Sequence, residues 1–128
     1  MLRTAPMLLL AAAILPPPKW VEIGKTSTGN SVYLDGNSVR KAPDGIITAG
    51  LRVTYTPPLD TPGGKVTSAR VVAMFDCKAG KVATRQSVMY IDERKGIEYR
   101  RRTIAKPGFG PALSSSFADV ALKHLCAK

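Results

Sequence analysis

From Trp20 to Ile104, apolar and polar residues alternate in short runs separated by glycine, proline and asparagine, the pattern of half-buried strands. "KWVEIGK" puts Trp20 and Glu22 on one side and Val21 and Ile23 on the other. After the turn-rich "TSTGN", "SVYLD" reads as a second strand and "GNSVRKAPDG" as a loop closing on Asp-Gly. "IITAGLRVTYT" at 46–56 sets Leu51, Val53 and Tyr55 on one face and Arg52 and Thr54 on the other. "PPLDTPGG", rich in the two strand breakers, predicts a hard interruption. "KVTSARVVAMFDC" at 65–77 is long enough for a central strand, with Val72, Met74 and Asp76 alternating against Val71, Ala73 and Phe75. "KAGK" predicts a hairpin with Gly80 at positive φ, followed by the strand "VATRQSVMYID", the loop "ERKG" and the strand "IEYRRRTI" at 97–104.

The period changes once. In "SSSFADVALKHLC", Phe117, Val120, Ala121, His124 and Leu125 fall at helical spacing. Ser116 and Asp119 stand where a capping pair would open the helix, and Lys123 and His124 fall in its last turn, where the dipole favours cations. The pattern predicts an α+β domain: one antiparallel meander of about six strands with a C-terminal helix packed on it. At 128 residues, 45% of them hydrophobic, there is enough chain for one domain with a packed core.

The N-terminus changes the expected compartment. Arg3 precedes an uncharged apolar run from Met7 to Leu15, and three prolines follow, the layout of a secretory leader too short to span a bilayer. The expected division is a leader at 1–18 and a domain at 19–128. The leader contains no cysteine to carry a lipid anchor, and no later stretch is long and apolar enough for a membrane helix. Export then gives a meaning to the only two cysteines, Cys77 and Cys126: an oxidising compartment favours a disulfide. Two thiols and one histidine do not make a four-ligand zinc site, and His124 lies too near Cys126 on a helix to serve it as a base. The bridge would pin the helix to the sheet, and in the chain-entropy model a loop of about 50 residues contributes about 4 kcal/mol.

The net charge of +10 speaks of partners and not of fold. Its densest expression is "EYRRRTI", where a regular strand would set Arg100 and Arg102 on a face with Glu98, and Arg101 with Tyr99 and Ile97. Arg100, Arg101 and Arg102, joined by Lys95 and Lys106 from the adjacent loops, form the candidate site for an anionic group. The opposing reading is a solvated edge whose charges deter strand pairing. Trp20 reads as a core anchor. "GKTSTGN" lacks the upstream glycine of a phosphate loop, the acids are scattered, and no nucleophile, metal or dinucleotide motif occurs. The expectation is therefore no enzyme, no metal and no cofactor. A leader, a disulfide and only 6% aromatic residues also argue against nucleic acid.

Five segments in order, "WVEIG", "SVYLDGNSV", "GLRVTYTPP", "SARVVAMFDCKAGKV" and "HLC", together resemble the surface-adhesin protein E family of exported proteins of Gram-negative bacteria. The resemblance runs from Trp20 to Cys126. It implies an antiparallel sheet with a helix tied to it by a disulfide, export to the periplasm or cell surface, and self-association as a homodimer. The family's namesake binds host matrix and serum proteins. The function expected on these grounds is an exported, non-enzymatic binding protein that meets a protein or anionic glycan through a basic surface. The rival readings are a periplasmic housekeeping or inhibitor module and, behind it, a basic nucleic-acid-binding protein.

Overall fold

The computed structural model describes residues 16–127; the leader expected at 1–18 lies, apart from its three prolines, outside the described residues. Strands β1 (Trp20–Lys25), β2 (Ser31–Asp35), β3 (Arg40–Lys41), β4 (Ile47–Thr61), β5 (Gly64–Asp76), β6 (Lys81–Asp92), β7 (Ile97–Thr103) and β8 (Gly110–Pro111) precede one helix, α1 (Phe117–Cys126). They form a single sheet in the order β1-β2-β4-β5-β6-β7, every pair antiparallel. Two short strands pair with inner ones off this path, β3 with β4 and β8 with β6. The six-strand meander with a C-terminal helix is thus the fold.

Alternation decides what each face carries. Leu34, Ala49, Leu51, Val71, Ala73 and Phe75 point to one side, where Ala121 of α1 completes a fully covered core. Leu51, Ala73, Phe75 and Ala121 are sealed from solvent. Phe117, Leu122 and Leu125 extend the helix contact. His124, placed by periodicity on that stripe, is exposed, and Leu122 packs instead. Burial of a leucine is favourable, whereas burial of an unpartnered imidazole costs its solvation.

The helix start is built as its residues suggest. Ser116 Oγ accepts from the Asp119 amide at 3.2 Å, and Asp119 Oδ2 accepts from the Ser115 amide at 2.8 Å. The carboxylate therefore caps one residue further out than a regular box. Lys123 Nζ reaches the same Oδ2 at 3.0 Å. The Ser115 amide and Lys123 hold the Asp119 carboxyl below the usual aspartate range.

Two departures from the expected layout have physical causes. The "PPLDTPGG" stretch does not end the strands: β4 runs on to Thr61 and β5 starts at Gly64. The ladder skips between Thr54 and Leu59, so Pro57 and Pro58, which have no N–H to donate, fall where no partner is needed. At the other edge, β1 slips register between Glu22 and Gly24. Gly24 there takes φ +156°, and a Cβ on it would stand 2.9 Å from Val120 Cγ1. The bulge thus lies directly against Val120 of the helix.

The Cys77–Cys126 bond joins the end of β5 to the end of α1, with Cα atoms 5.5 Å apart and a sequence separation of 49. Both the staple and its position match the sequence expectation. The Gly24–Val120 contact yields a test of helix docking: Gly24→Ala should lower stability by about 1–3 kcal/mol, through overpacking and a strained backbone. Urea unfolding against wild type measures it, and a loss within about 0.5 kcal/mol, the range of ordinary surface changes, would mean the helix is not seated on β1.

Candidate functional site

Helix α1 covers only one side of the sheet. The other side carries the alternate residues of every strand: Tyr33, Arg52, Arg70, Val88 and Arg101 lie in one row across it. The neighbouring row is Trp20, Asp35, Gly50, Val72 and Gln86. Because Gly50 has no side chain, the second row dips. A Cβ at position 50 would meet Ser38 Oγ at 3.3 Å. The dip is a groove of about 340 Å³ floored by Gly50 and Val72 and walled by Trp20 and Asp35 on one side, Gln86 and Val88 on the other. Tyr90 and Arg101 stand at its β6–β7 end.

One carboxylate organises the charges beside it. Glu93, from the loop after β6, reaches back over the sheet to accept from Arg52 Nε at 3.0 Å, Arg70 Nη2 at 3.1 Å and Ser68 Oγ at 2.9 Å. Its side chain is only 15% exposed, against 26% for Arg52 and 42% for Arg70. Burial pushes the Glu93 carboxyl up, but the Ser68 hydroxyl and the two guanidiniums together outweigh it and leave the group below the ordinary glutamate range. Each arginine also lies over an aromatic ring: Arg52 Cζ is 5.7 Å from the Tyr33 centroid and Arg70 Cζ 5.4 Å from that of Trp20. One negative charge serves two positive ones, so the cluster keeps a net positive charge.

The sequence-predicted basic site is split by a bulge. The β6–β7 register slips between Met89 and Tyr90: Arg100 pairs with Met89, Glu98 with Tyr90, and Tyr99 is left over. That extra residue turns Glu98 to the same face as Arg101, correcting the grouping expected of a regular strand. Arg101 makes a two-pronged pair with Glu98, 2.8 Å from Nε and 3.0 Å from Nη2. The pair holds Glu98 low and raises Arg101. Arg100 and Arg102 point to the helix side, Arg100 with its Cζ 5.7 Å from the Tyr99 centroid. Arg102 borders a second hollow, lined by Tyr55, Met89 and Phe117. Lys95 is exposed in the β6–β7 turn and Lys106 in the loop after β7. The five residues therefore share one sheet edge, not one face.

The comparisons with known proteins agree with this architecture. The family model described as surface-adhesin protein E matches residues 20–127. The chain belongs to that family. Among solved structures, it is similar to crystal form II of Haemophilus influenzae protein E, with 15% identity and a TM-score of 0.56 over 88% of this chain and 93% of that one. The selenomethionine form of the same protein gives 14% identity and a TM-score of 0.54, over 87% and 92% of the two chains. At such identities the likeness is one of fold. No curated protein sequence matches. Family membership makes this an adhesin-like surface or exported protein, and no helix among the described residues is long and apolar enough to cross a membrane.

The adhesin E fold places two residues where the sequence reading did not. Trp20, expected as a core anchor, is half-buried on the face away from the helix and packs against Arg70. Glu93 read as part of a loop; its only local signal was an acid standing before the basic pair Arg94 and Lys95. Among the described residues, no group of three or more His, Cys, Asp or Glu side chains could hold a metal ion.

The Glu93 cluster predicts how stability responds to acid. A carboxyl depressed in the folded state contributes stability above the ordinary glutamate value, about 4.3. That contribution is lost as pH falls through the lower folded value. Glu93→Gln should cost about 2 kcal/mol at pH 7, since it removes charge-assisted bonds and leaves Arg52 and Arg70 facing each other. The gap between wild type and variant should narrow as pH drops from 5 towards 3. Urea midpoints across that range measure it, and a gap independent of pH would show that Glu93 acts by shape alone.

Proposed function

We propose that this adhesin E protein is an exported binding protein, held in the periplasm or at the cell surface, that acts by contact with an acidic partner and without catalysis. The observation that carries the reading is the distribution of its arginines. Arg52, Arg70 and Arg101 have carboxylate partners in Glu93 and Glu98. Arg100 and Arg102, among the described residues, have none, and they stand exposed on the outermost strand with Lys95 and Lys106 beyond its two ends. Unpaired guanidiniums on a strand edge offer planar forks to sulfate, phosphate or carboxylate groups, and they also deter edge-to-edge pairing. A protein or a glycan could present such groups. The net charge of +10 adds long-range attraction to either.

The double variant Arg100→Ala/Arg102→Ala should leave a heparin column at clearly lower salt than wild type, with a shallower dependence of retention on salt. Lys41→Ala/Lys78→Ala, which removes the same charge from other parts of the surface, is the control. Equal losses from the two pairs would reduce the edge to overall charge and sink the reading. Retention indifferent to salt would favour an inhibitor-like contact with one defined protein.

Export makes a separate expectation. Intact mass of the protein from fractionated native cells should show a chain shortened near residue 18 in the envelope fraction, with both cysteines alkylated only after reduction. A full-length cytosolic chain with two free thiols would bring the nucleic-acid reading forward.

A further inference from the structure

The groove over Gly50 lies on the face opposite Arg100 and Arg102, and its lining has a different chemistry from that edge. Its floor and walls supply apolar and aromatic surface from Val72, Val88, Trp20 and Tyr90. Polar groups stand around the rim on several sides and not at one end: Asp35, Gln86, Arg70 and Arg101. We infer that this groove is a saccharide site, taking a single carboxylated sugar residue, a uronic or sialic acid, with Arg70 receiving the carboxylate.

Three observations bear on the ligand class. The volume of about 340 Å³ falls at the small end of ligand pockets, which run from about 300 to 1,000 Å³. It suits one or two rings and not a long chain. The polar groups are of both kinds: Asp35 accepts, the arginines donate and Gln86 does both. A flat aromatic acid has one polar end and would leave most of them facing carbon. A sugar ring has apolar C–H faces and hydroxyls all round its edge, matching apolar walls with a polar rim. Asp35 is also held still for such a contact, since its Oδ1 accepts from the Lys19 amide at 2.8 Å and the Asn37 amide at 3.0 Å.

The acidic group follows from Arg70. Its guanidinium is fixed by Glu93 on one side and by the Trp20 ring at 5.4 Å. Glu93 divides its charge between Arg70 and Arg52, and Arg70 is the more exposed of the two. Arg70 Nε is sealed from solvent and Nη2 is given to Glu93, so among the described residues Nη1 is the donor left for a ligand in the groove. A positioned and incompletely partnered guanidinium facing a groove is a carboxylate receptor. Arg101 contributes less, because Glu98 already occupies its fork.

The site is tested by titrating isotopically labelled full-length mature protein with a glucuronate-terminated disaccharide, its neutral glucose counterpart and benzoate, each followed by NMR. The acidic disaccharide should give saturable shifts at the Trp20 indole and at the Gly50 and Gln86 amides, with the neutral sugar and benzoate each at least about tenfold weaker. Arg70→Gln should weaken the acidic sugar at least about tenfold, the worth of one charge-assisted hydrogen bond. Gly50→Ala, which fills the floor, should weaken it likewise. Arg100→Ala/Arg102→Ala should change it by less than about twofold, which separates this groove from the arginine edge. Equal binding of the neutral sugar would overturn the carboxylate assignment, and equal binding of benzoate would overturn the saccharide. Shifts centred on β7, or no saturation by about 10 mM, ten times a millimolar Kd, would overturn the site. The wild-type comparisons decide the matter even where a variant folds poorly.

Discussion

The structure depends on holding a ten-residue helix against one side of a six-strand sheet. A helix that short is marginal by itself in water, because nucleation costs more than so few bonds return. Its apolar stripe supplies part of the difference through Ala121, Phe117, Leu122 and Leu125. Ser116 and Asp119 secure its first turn, and Cys126 fixes its last to the end of β5. With cap and crosslink at opposite ends, the helix cannot peel away from either. A chain of this size has only about 5–15 kcal/mol of net stability, so a staple worth about 4 kcal/mol is a large share of it.

Covering one face leaves the other to be made soluble without losing order. A solvated antiparallel face usually does this with scattered polar residues. Here Arg52 and Arg70 stand directly across from each other on β4 and β5, an arrangement that repels. Glu93 resolves it from outside the ladder, and Tyr33 and Trp20 add a ring under each guanidinium. The cost is that a loop residue becomes part of the sheet's electrostatics. The return is that two arginines on an open surface are held in place, where free side chains would wave in solvent.

Most of the fold was legible because period two survives in the central strands β2, β4 and β5. Leu51 against Arg52 and Val71 against Val72 fall on the faces that alternation assigns them. The cysteines were legible for a different reason: an even pair, one at a strand end and one at a helix end, in a sequence that opens on a leader-like apolar run, leaves few other uses. What alternation misses is an extra residue. Tyr99 in β7 shifts every later side chain to the other face relative to Glu98, and no local feature of "IEYRRRT" announces it. The Glu93 contacts span 41 residues to Arg52 and 23 to Arg70, and pairings that distant leave no mark on a local pattern. The prolines of β4 misled for a third reason: they break a ladder only where the ladder needs their N–H, and the slip after Thr54 removes that need.

That single bulge also decides how binding chemistry is divided over the molecule. Had β7 run regularly, Arg100 and Arg102 would lie beside Glu98 and be drawn into its pair, leaving Arg101 alone. Instead Glu98 takes Arg101 on the open face, and Arg100 and Arg102 remain without a carboxylate on the helix side. The open face thereby becomes nearly neutral around its groove, with Arg70 as its incompletely answered charge. The edge of the sheet stays strongly basic. A broad basic edge suits attraction that is long-ranged and indifferent to detail, whereas a shallow groove with fixed donors and acceptors suits discrimination among small groups. One inserted residue in one strand is enough to keep those two kinds of surface apart on a sheet only six strands wide.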